Sequence, residues 1–330
     1  MINPIFIILF NFLTGTLCLV YGVNLLSEGL EKANTEKLKK ILTTCTGSLP
    51  KAFVSGAFLT ALVQSSTTIT VITVGLVNSG LITLSNAAGI IYGANIGTTL
   101  TAQLMSFKIT EIGLPALVVG LLLGTFSKKR SLRNLGKIIT GFGFIFTGLN
   151  TLNASVPYIK ESRFVYNIFL KYGKSPVAGL FIGMLATMLV HSSSATVGFT
   201  IVLFNAGLID FSTAIGLTLG DNIGTCFTAH TAGLGGNIWA HRTAWVHTLY
   251  NVICVIAVLI FFRPFADLAQ NVTLMLGQDK SRLVANTHTI FNVLGAVIFL
   301  PINKYYINFI NTIIIERNNK NKSKNKKKRG

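Results

Sequence analysis

The sequence predicts an all-α polytopic membrane protein made of two inverted-topology repeats. Each repeat is expected to hold a Ser/Thr-rich re-entrant hairpin and a broken helix, with supporting transmembrane helices around them. The chain is 51% hydrophobic and 12% charged, with a mean hydropathy of +0.62, whereas soluble domains carry roughly 25% charged residues. Several apolar runs approach the ~20 residues that a helix needs to cross the hydrocarbon core of a bilayer.

The two repeats are visible as short polar motifs that recur after 127 residues without a gap. Gln64-Ser65-Ser66-Thr67 recurs as His191-Ser192-Ser193-Ser194, and Asn95-Ile96-Gly97-Thr98 recurs as Asn222-Ile223-Gly224-Thr225. The matched positions are mostly Ser, Thr, Asn and Gly, so a chance likeness between two apolar stretches does not account for them. The two halves of the chain therefore share their polar residues.

The first repeat is predicted over residues 1–130 and begins with a span at Ile5–Leu26. Ala52–Gly80 is long enough to cross, yet its middle is rich in hydroxyl groups, and each unsatisfied polar group in hydrocarbon costs several kcal/mol. We therefore expect a re-entrant hairpin that is buried in protein and lines a wet cavity. Gly weakens a helix by about 1 kcal/mol relative to Ala, so the Gly-rich run Ser85–Met105 predicts a broken helix. A short span follows at Ile112–Phe126.

The second repeat is predicted over residues 131–310 and follows the same order. Its first span is Ile138–Val156, and Pro176 opens the second hairpin, which extends to Gly207. A second broken helix and two supporting spans are expected at Ser212–Gly233, Ala244–Phe262 and Leu283–Tyr306.

Much of the net charge of +18 lies near the C-terminus, where residues 317–329 are rich in Lys and Asn. Such blocks are usually disordered. We expect residues 311–330 to be a basic cytoplasmic tail that attracts anionic lipid rather than nucleic acid. With the tail in the cytoplasm, three full crossings separate the equivalent first spans, so the repeats face opposite ways. This is the plan of many secondary transporters, and it predicts a multi-pass protein of the plasma (inner, cytoplasmic) membrane.

A substrate site is expected where the two Ser-rich segments meet near the bilayer midplane. Helix N-termini that open there would present free N–H groups and a positive dipole end, which suits an oxyanion. Hydroxyl groups would add further donors, from Ser65, Ser66 and Thr67 in one copy and Ser192, Ser193 and Ser194 in the other. Neither segment contains Lys or Arg, so the site suits a multivalent anion that arrives with compensating cations.

Oxygen ligands for such a cation lie next to the same segments. The candidates are Thr68, Asn95, Thr98, Asp221, Asn222 and Thr225. Asp221 stands where the first copy has Ala94, and an intramembrane carboxylate is a functional hypothesis by default. The alternative is a structural hydrogen bond to a neighbouring helix end. The four cysteines show no metal or redox spacing, so no cofactor and no metal site beyond this cation are expected.

A smaller echo relates two of the supporting spans. His247 and Asn251 in one span match His288 and Asn292 in the other. The spacing of four residues places His and Asn on one helical face. We interpret both pairs as polar contacts between the supporting helices and the core rather than as substrate ligands.

These motifs resemble those of the type II sodium/phosphate cotransporter family and its bacterial relatives, and the resemblance extends to about Tyr306. It implies sodium-driven import of inorganic phosphate by alternating access, with sodium as the coupled cation and no enzymatic activity. The QSS segments would form the phosphate site, which adds Gln64 and His191 to the candidate residues. His191 departs from the usual Gln. Many bacterial relatives also carry a PhoU-type domain after the last span, where this chain has a Lys/Asn tail, so regulation through such a domain would be either absent or supplied by a separate PhoU-like regulator.

Three alternatives remain open at this point. One is a transporter of the same architecture for another oxyanion or another coupling ion, because hydroxyl and N–H donors do not separate phosphate from sulfate. Another is an intramembrane serine hydrolase with Ser65 or Ser192 as nucleophile, although neither copy has a GxSxG-like elbow and the first has no His nearby to act as base. The last is a membrane scaffold that recruits an acidic partner through its basic tail.

Overall fold

The computed structural model of the chain describes residues 3–31, 35–44, 47–107 and 110–315. No strand occurs in these ranges, and the all-α prediction is confirmed. The α-helices are α1 (Pro4–Glu31), α2 (Thr35–Thr44), α3 (Leu49–Val63), α4 (Ser66–Asn78), α5 (Leu84–Met105), α6 (Gly113–Phe126), α7 (Arg130–Asn153), α8 (Val156–Glu161), α9 (Arg163–Tyr172), α10 (Pro176–Val190), α11 (Ser193–Asn205), α12 (Phe211–Thr225), α13 (Phe227–Gly233), α14 (Ile238–Ile260), α15 (Phe262–Met275) and α16 (Leu283–Ile313).

Four helical stretches in the described ranges are long and apolar enough to cross a membrane, and α9 with α10 forms a further pair that is bent by 111°. The four stretches are Pro4–Glu31, Arg130–Glu161, Ile238–Ile260 and Lys280–Ile313. The chain is therefore an integral membrane protein. The predicted tail begins within α16, and its residues from 316 onward lie outside the described ranges.

Both Ser-rich segments are pairs of short helices that are interrupted at the same step. α3 ends before Gln64, and α10 ends before His191, and these two residues have left-handed φ angles of 57° and 54°. The second helix of each pair has 13 residues, which at 1.5 Å per residue is about 20 Å. That length is short of the ~30 Å of a hydrocarbon core. The interruption in the middle of each segment agrees with a re-entrant hairpin, which stays a prediction.

The prediction of a broken helix at Ser85–Met105 is wrong, because α5 is continuous from Leu84 to Met105. Its glycines form a contact surface instead of a break. A Cβ atom at Gly93 would lie 2.0 Å from the backbone oxygen of Phe53 in α3. Only glycine allows two helix backbones to come this close. The packing against α3 thus uses the residues that, by propensity alone, predicted an interruption.

In the second half of the chain the predicted interruption is present. α12 ends at Thr225, and α13 begins at Phe227 after the single residue Cys226. The glycine contact recurs here as well, because a Cβ atom at Gly220 would lie 2.0 Å from the backbone oxygen of Leu180 in α10. The packing of α12 on α10 therefore repeats that of α5 on α3, 127 residues later.

The first spans of the two halves pack against each other through reciprocal glycines. A Cβ atom at Gly22 of α1 would lie 2.8 Å from the oxygen of Gly141 in α7, and one at Gly141 would lie 2.8 Å from the oxygen of Gly22. Gly15 and Gly148 approach in the same reciprocal way. Rising numbers in α1 meet falling numbers in α7, so these two helices run antiparallel. An antiparallel pair is the arrangement that an inverted-topology repeat requires of its first spans.

Candidate functional site

One small cavity brings the two halves of the chain together. Its volume is about 10 Å³, close to the space that one water molecule requires. It lies where the first residues of α4 and α11 face the middle of α5, the end of α12 and one side of α16. The lining residues are Ser66, Asn95, Thr98, Ser193, Asp221, Asn222, Thr225 and His288. All of these except His288 are residues that the sequence predicted for the substrate or the cation.

The two serines at this cavity are the first residues of their helices. Ser66 begins α4 and Ser193 begins α11. The first N–H groups of a helix have no partner within the helix, and the N-terminus carries a partial positive charge of about half an elementary charge. Two helix N-termini and two hydroxyl groups at one cavity are donors of the kind that an oxyanion accepts hydrogen bonds from.

The serines that precede them have a different place. Ser65 caps α4, accepting from the N–H of Thr68 at 3.2 Å and donating to the Oγ1 of Thr68 at 3.0 Å. Ser192 caps α11 by accepting from the N–H of Ala195 at 3.3 Å. Neither these caps nor the other hydroxyl residues of the two motifs, Thr67, Thr68 and Ser194, line the cavity. The contacts of Ser65, Ser192 and Thr68 hold the two helix starts in position.

Gln64 and His191 also lie outside the cavity lining. The Oε1 of Gln64 accepts from Thr101 of α5 at 2.7 Å, and its backbone oxygen accepts from Ser27 of α1 at 3.2 Å. His191 is exposed, and its ring centre lies 5.7 Å from that of Phe227. Both residues turn the chain in the left-handed conformation, but only Gln64 ties the turn to neighbouring helices by hydrogen bonds in the described part of the chain.

The candidate cation ligands use their hydrogens within the protein. In the first half, the Nδ2 of Asn95 donates to the Oδ1 of Asn251 at 2.9 Å, and the hydroxyl of Thr98 donates to the backbone oxygen of Ala94 at 3.0 Å. In the second half, Asn222 donates to the backbone oxygen of Thr218 at 2.7 Å. A side chain whose donor is occupied keeps oxygen lone pairs for other partners. This donor pattern suits a hard cation such as sodium.

Asp221 is the acidic residue of the cavity and is fully buried. Its Oδ1 accepts from the Nδ2 of Asn222 at 3.0 Å and lies 3.8 Å from the Nε2 of His288. Its Oδ2 has no hydrogen-bond partner among the described residues. A buried carboxylate is costly unless it is paired, so this oxygen calls for a cation or a proton. No cluster of three or more His, Cys, Asp or Glu that could hold a metal ion occurs in the described ranges, so neutral oxygens would supply the other ligands.

Two residues of the His/Asn echo reach this region. Asn251 contacts the core through Asn95, in agreement with the predicted polar contact. His288 was predicted to be such a contact as well, but it lines the cavity beside Asp221. The spacing of the echo gave the correct helical face. It could not indicate which of the two histidines faces the site, because that depends on how α14 and α16 pack against the rest of the chain.

Two equivalent polar contacts lie outside the cavity lining, one made by a residue of each half to a supporting helix. The Nε2 of Gln103, at the end of α5, donates to the Oγ1 of Thr289 at 3.0 Å. His230, which stands 127 residues after Gln103, is bonded through its Nε2 to the Oγ1 of Thr248 at 2.8 Å. Thr289 and Thr248 each follow the histidine of the echo. Gln103 of the first half and His230 of the second half thus bind α16 and α14 by matching contacts.

The sequence of the chain is similar to that of proteins named for phosphate transport. The profile of a family described as Na+/Pi-cotransporter matches residues 18–154 and 161–278. The uncharacterized protein YqeW of Bacillus subtilis (strain 168) is 31% identical over 311 residues, which cover 93% of this chain and 99% of YqeW. YjbB of Escherichia coli (strain K12), named as a candidate inorganic phosphate exporter, is 28% identical over 93% of this chain.

The chain spans 56% of YjbB, about half the length of that relative. The sodium-dependent phosphate transport protein 2A of Rattus norvegicus is 30% identical over 130 residues, which cover 37% of this chain and 20% of the rat protein. No solved structure matches the chain.

Proposed function

Because the chain belongs to the Na+/Pi-cotransporter family, a family of membrane transporters and not of enzymes, we propose that it imports inorganic phosphate together with sodium by alternating access. Phosphate transport is the activity that the family and its named relatives support. The coupling to sodium, the inward direction and the residues involved are part of the proposal.

The observation that carries the proposal is the meeting of Ser66 and Ser193 at one cavity. Each serine begins a 13-residue helix, so a phosphate between them would accept hydrogen bonds from two helix N-termini as well as from two hydroxyls. Hydrogen bonds to charged groups contribute about 1.5–3 kcal/mol each. A site of this kind binds an anion firmly without a fixed positive charge. A fixed positive charge would slow the release of the anion.

The charge of the phosphate would be balanced by the cation. The cavity lining contains Asp221 but neither Lys nor Arg. A carboxylate and a divalent phosphate would repel each other in a low-dielectric site, so phosphate binding here requires that the carboxylate be neutralised, and we propose that a bound cation does so. Asp221, with the oxygens of Asn95, Thr98, Asn222 and Thr225, is the proposed sodium site. This mutual requirement is a physical basis for coupling.

The small volume of the cavity supports a cycle in which the site opens to one side at a time. About 10 Å³ holds one water-sized group and is too small for a tetrahedral phosphate. We propose that the halves, residues 1–130 and 131–310, move relative to each other and thereby release the Gln103–Thr289 contact, which joins them. The antiparallel glycine contact of α1 with α7 supports the inverted arrangement that this cycle needs.

The direction of transport depends on membrane orientation and on the sodium gradient. We propose the cytoplasmic (inner) membrane with the basic tail in the cytoplasm, where anionic lipid would attract the tail. Export is the second candidate, because YjbB is named as a candidate exporter. A symporter runs in either direction, so an outward sodium gradient would drive export through the same site.

The deciding experiment is uptake of radiolabelled phosphate into liposomes that contain the purified protein. Uptake should require an inward sodium gradient and should vanish when potassium replaces sodium at equal ionic strength. Equal uptake in both salts would refute sodium coupling. Unlabelled sulfate and arsenate, added in separate samples, identify the substrate: competition by sulfate at the same concentration as phosphate would favour a general oxyanion carrier.

A further inference from the structure

We propose that His288 is a positioning residue that orients the carboxylate of Asp221 toward the bound sodium ion. The inference rests on the proposed function, since it concerns the same cavity. It goes beyond that function because it assigns a role to a side chain of a supporting helix, where only a contact with the core was expected.

The two side chains lie close together but do not form a hydrogen bond. The Nε2 of His288 lies 3.8 Å from the Oδ1 of Asp221, beyond the 2.7–3.2 Å of an ordinary hydrogen bond. Both side chains are buried, and both line the cavity. A movement of less than about 1 Å would bring the ring N–H into hydrogen-bond range of the carboxylate.

The two carboxylate oxygens of Asp221 have different surroundings. The Nδ2 of Asn222 donates to Oδ1 at 3.0 Å, and His288 faces that same oxygen. Oδ2 has no hydrogen-bond partner in the described part of the chain. Two donors on Oδ1 would fix the plane of the carboxyl group and leave Oδ2 as the ligand. Carboxylates that bind metal ions are commonly held in this way by outer partners.

The arrangement exists in one half only, which provides an internal control. The echo of His288 is His247, and the first-half counterpart of Asp221 is Ala94. His247 is as deeply buried as His288, but it does not line the cavity, and neither of its ring nitrogens has a hydrogen-bond partner among the described residues. Substitution of His247 therefore reproduces the loss of a buried imidazole without touching the carboxylate.

The test compares His288→Met, His288→Gln and His247→Met. Met fills the buried volume with a flexible apolar side chain but has no N–H, whereas the amide of Gln keeps a donor. Outer partners of metal ligands typically contribute about 10- to 100-fold in affinity. We expect His288→Met to raise the sodium concentration for half-maximal phosphate uptake by about that factor, with the phosphate KM at saturating sodium changed less than about threefold. His288→Gln should recover most of the sodium affinity, and His247→Met should leave it unchanged.

A second readout does not require transport. Sodium should raise the unfolding temperature of the purified wild-type protein in detergent without phosphate, and His288→Met should shift this response to higher sodium. If His288→Met does not fold, His288→Ala is compared with His247→Ala in its place. An unchanged sodium response in the folded variant, or an equal loss in the His247 variant, overturns the role of His288. A wild-type protein without any sodium response instead overturns the sodium site of the proposed function, whatever the role of His288.

Discussion

Ser66 and Ser193 are 127 positions apart in the sequence, and each begins a helix at the wall of the same cavity. The residues just before them, Ser65 and Ser192, cap those helices through N–H groups three positions ahead. In each copy of the serine motif, one serine therefore fixes the helix start and the next one faces the cavity. This division of roles gives different expectations for neighbouring hydroxyls.

Replacing either cavity serine should reduce phosphate transport strongly. Ser66→Ala and Ser193→Ala each remove a donor to a charged ligand, a loss of about 1.5–3 kcal/mol, or about 10- to 100-fold in phosphate affinity. The matched control is Ser79→Ala, at the exposed end of α4, whose hydroxyl donates only to backbone oxygens of its own helix. Uptake as a function of phosphate concentration measures the effect. Wild-type uptake in both cavity variants would remove these serines from the site.

Asp221→Asn should make phosphate uptake less dependent on sodium. The substitution keeps the shape of the side chain but removes its charge, so the cation loses its carboxylate ligand and the sodium dependence of uptake should become much weaker. The control is Asp210→Asn. Asp210 caps α12 by accepting from the N–H of Thr213 at 2.8 Å, and Asn caps helices about as well as Asp. If Asp221→Asn keeps the sodium dependence of the control, the cation site lies elsewhere.

The sequence was sufficient to predict the interrupted Ser-rich segments and most of the cavity lining, because both follow from polar residues in apolar surroundings. A pair of hydroxyl residues such as Ser65-Ser66 is not stable facing lipid, so solvation requires that it be buried in protein. Its position at a helix start follows from the capping preference of serine. These local rules act within a few residues and can be read without a fold.

The prediction failed where the result depends on two helices meeting. The glycines of α5 suggested a break by propensity, but Gly93 is needed for contact with Phe53, and packing outweighs a propensity cost of about 1 kcal/mol. The same holds for His288, whose place beside Asp221 depends on the packing of α16. Gln64 was expected at the substrate, yet its hydrogen bond to Thr101 ties two helices together. Long-range contacts of this kind leave no local pattern.

Helix packing at the glycines can be tested by adding a single methyl group. A Cβ atom at Gly93 or Gly220 would meet a backbone oxygen at 2.0 Å, so Gly93→Ala and Gly220→Ala should each destabilise the protein by about 1–3 kcal/mol or more. Gly75→Ala is the control, since its Cβ atom meets nothing within 4 Å and the helix gains up to about 1 kcal/mol. Thermal unfolding in detergent gives the comparison. Equal stability of all three variants would contradict the close contact.

The two left-handed turn residues should respond differently to truncation. Gln64→Ala leaves the buried hydroxyl of Thr101 without its acceptor, which costs about 1–3 kcal/mol. His191→Ala removes an exposed ring that contacts Phe227, and surface changes of this kind stay within about 0.5 kcal/mol. Unfolding temperatures of the two variants test the difference. An equal loss at both positions would mean that His191 makes a stabilising contact equivalent to that of Gln64.

The hydrogen bond between Asn95 and Asn251 should couple a supporting helix to the cation site. Asn95 lines the cavity and donates to Asn251 of α14 at 2.9 Å, so the partner fixes the direction of the Asn95 amide. Contacting residues typically show coupling energies of about 0.5–3 kcal/mol. Asn95→Ala, Asn251→Ala and the double variant should therefore be non-additive both in stability and in sodium affinity.

The control for this cycle is Tyr92→Phe, one turn earlier on α5. The hydroxyl of Tyr92 donates to Asn303 of α16 at 3.0 Å, and Tyr92 does not line the cavity. Its loss should cost about 1 kcal/mol of stability and leave the sodium dependence of uptake unchanged, because no group at the cavity is released. Additive effects of the two asparagines on sodium affinity, or a change of sodium affinity in Tyr92→Phe, would show that α14 does not act on the cation through Asn95.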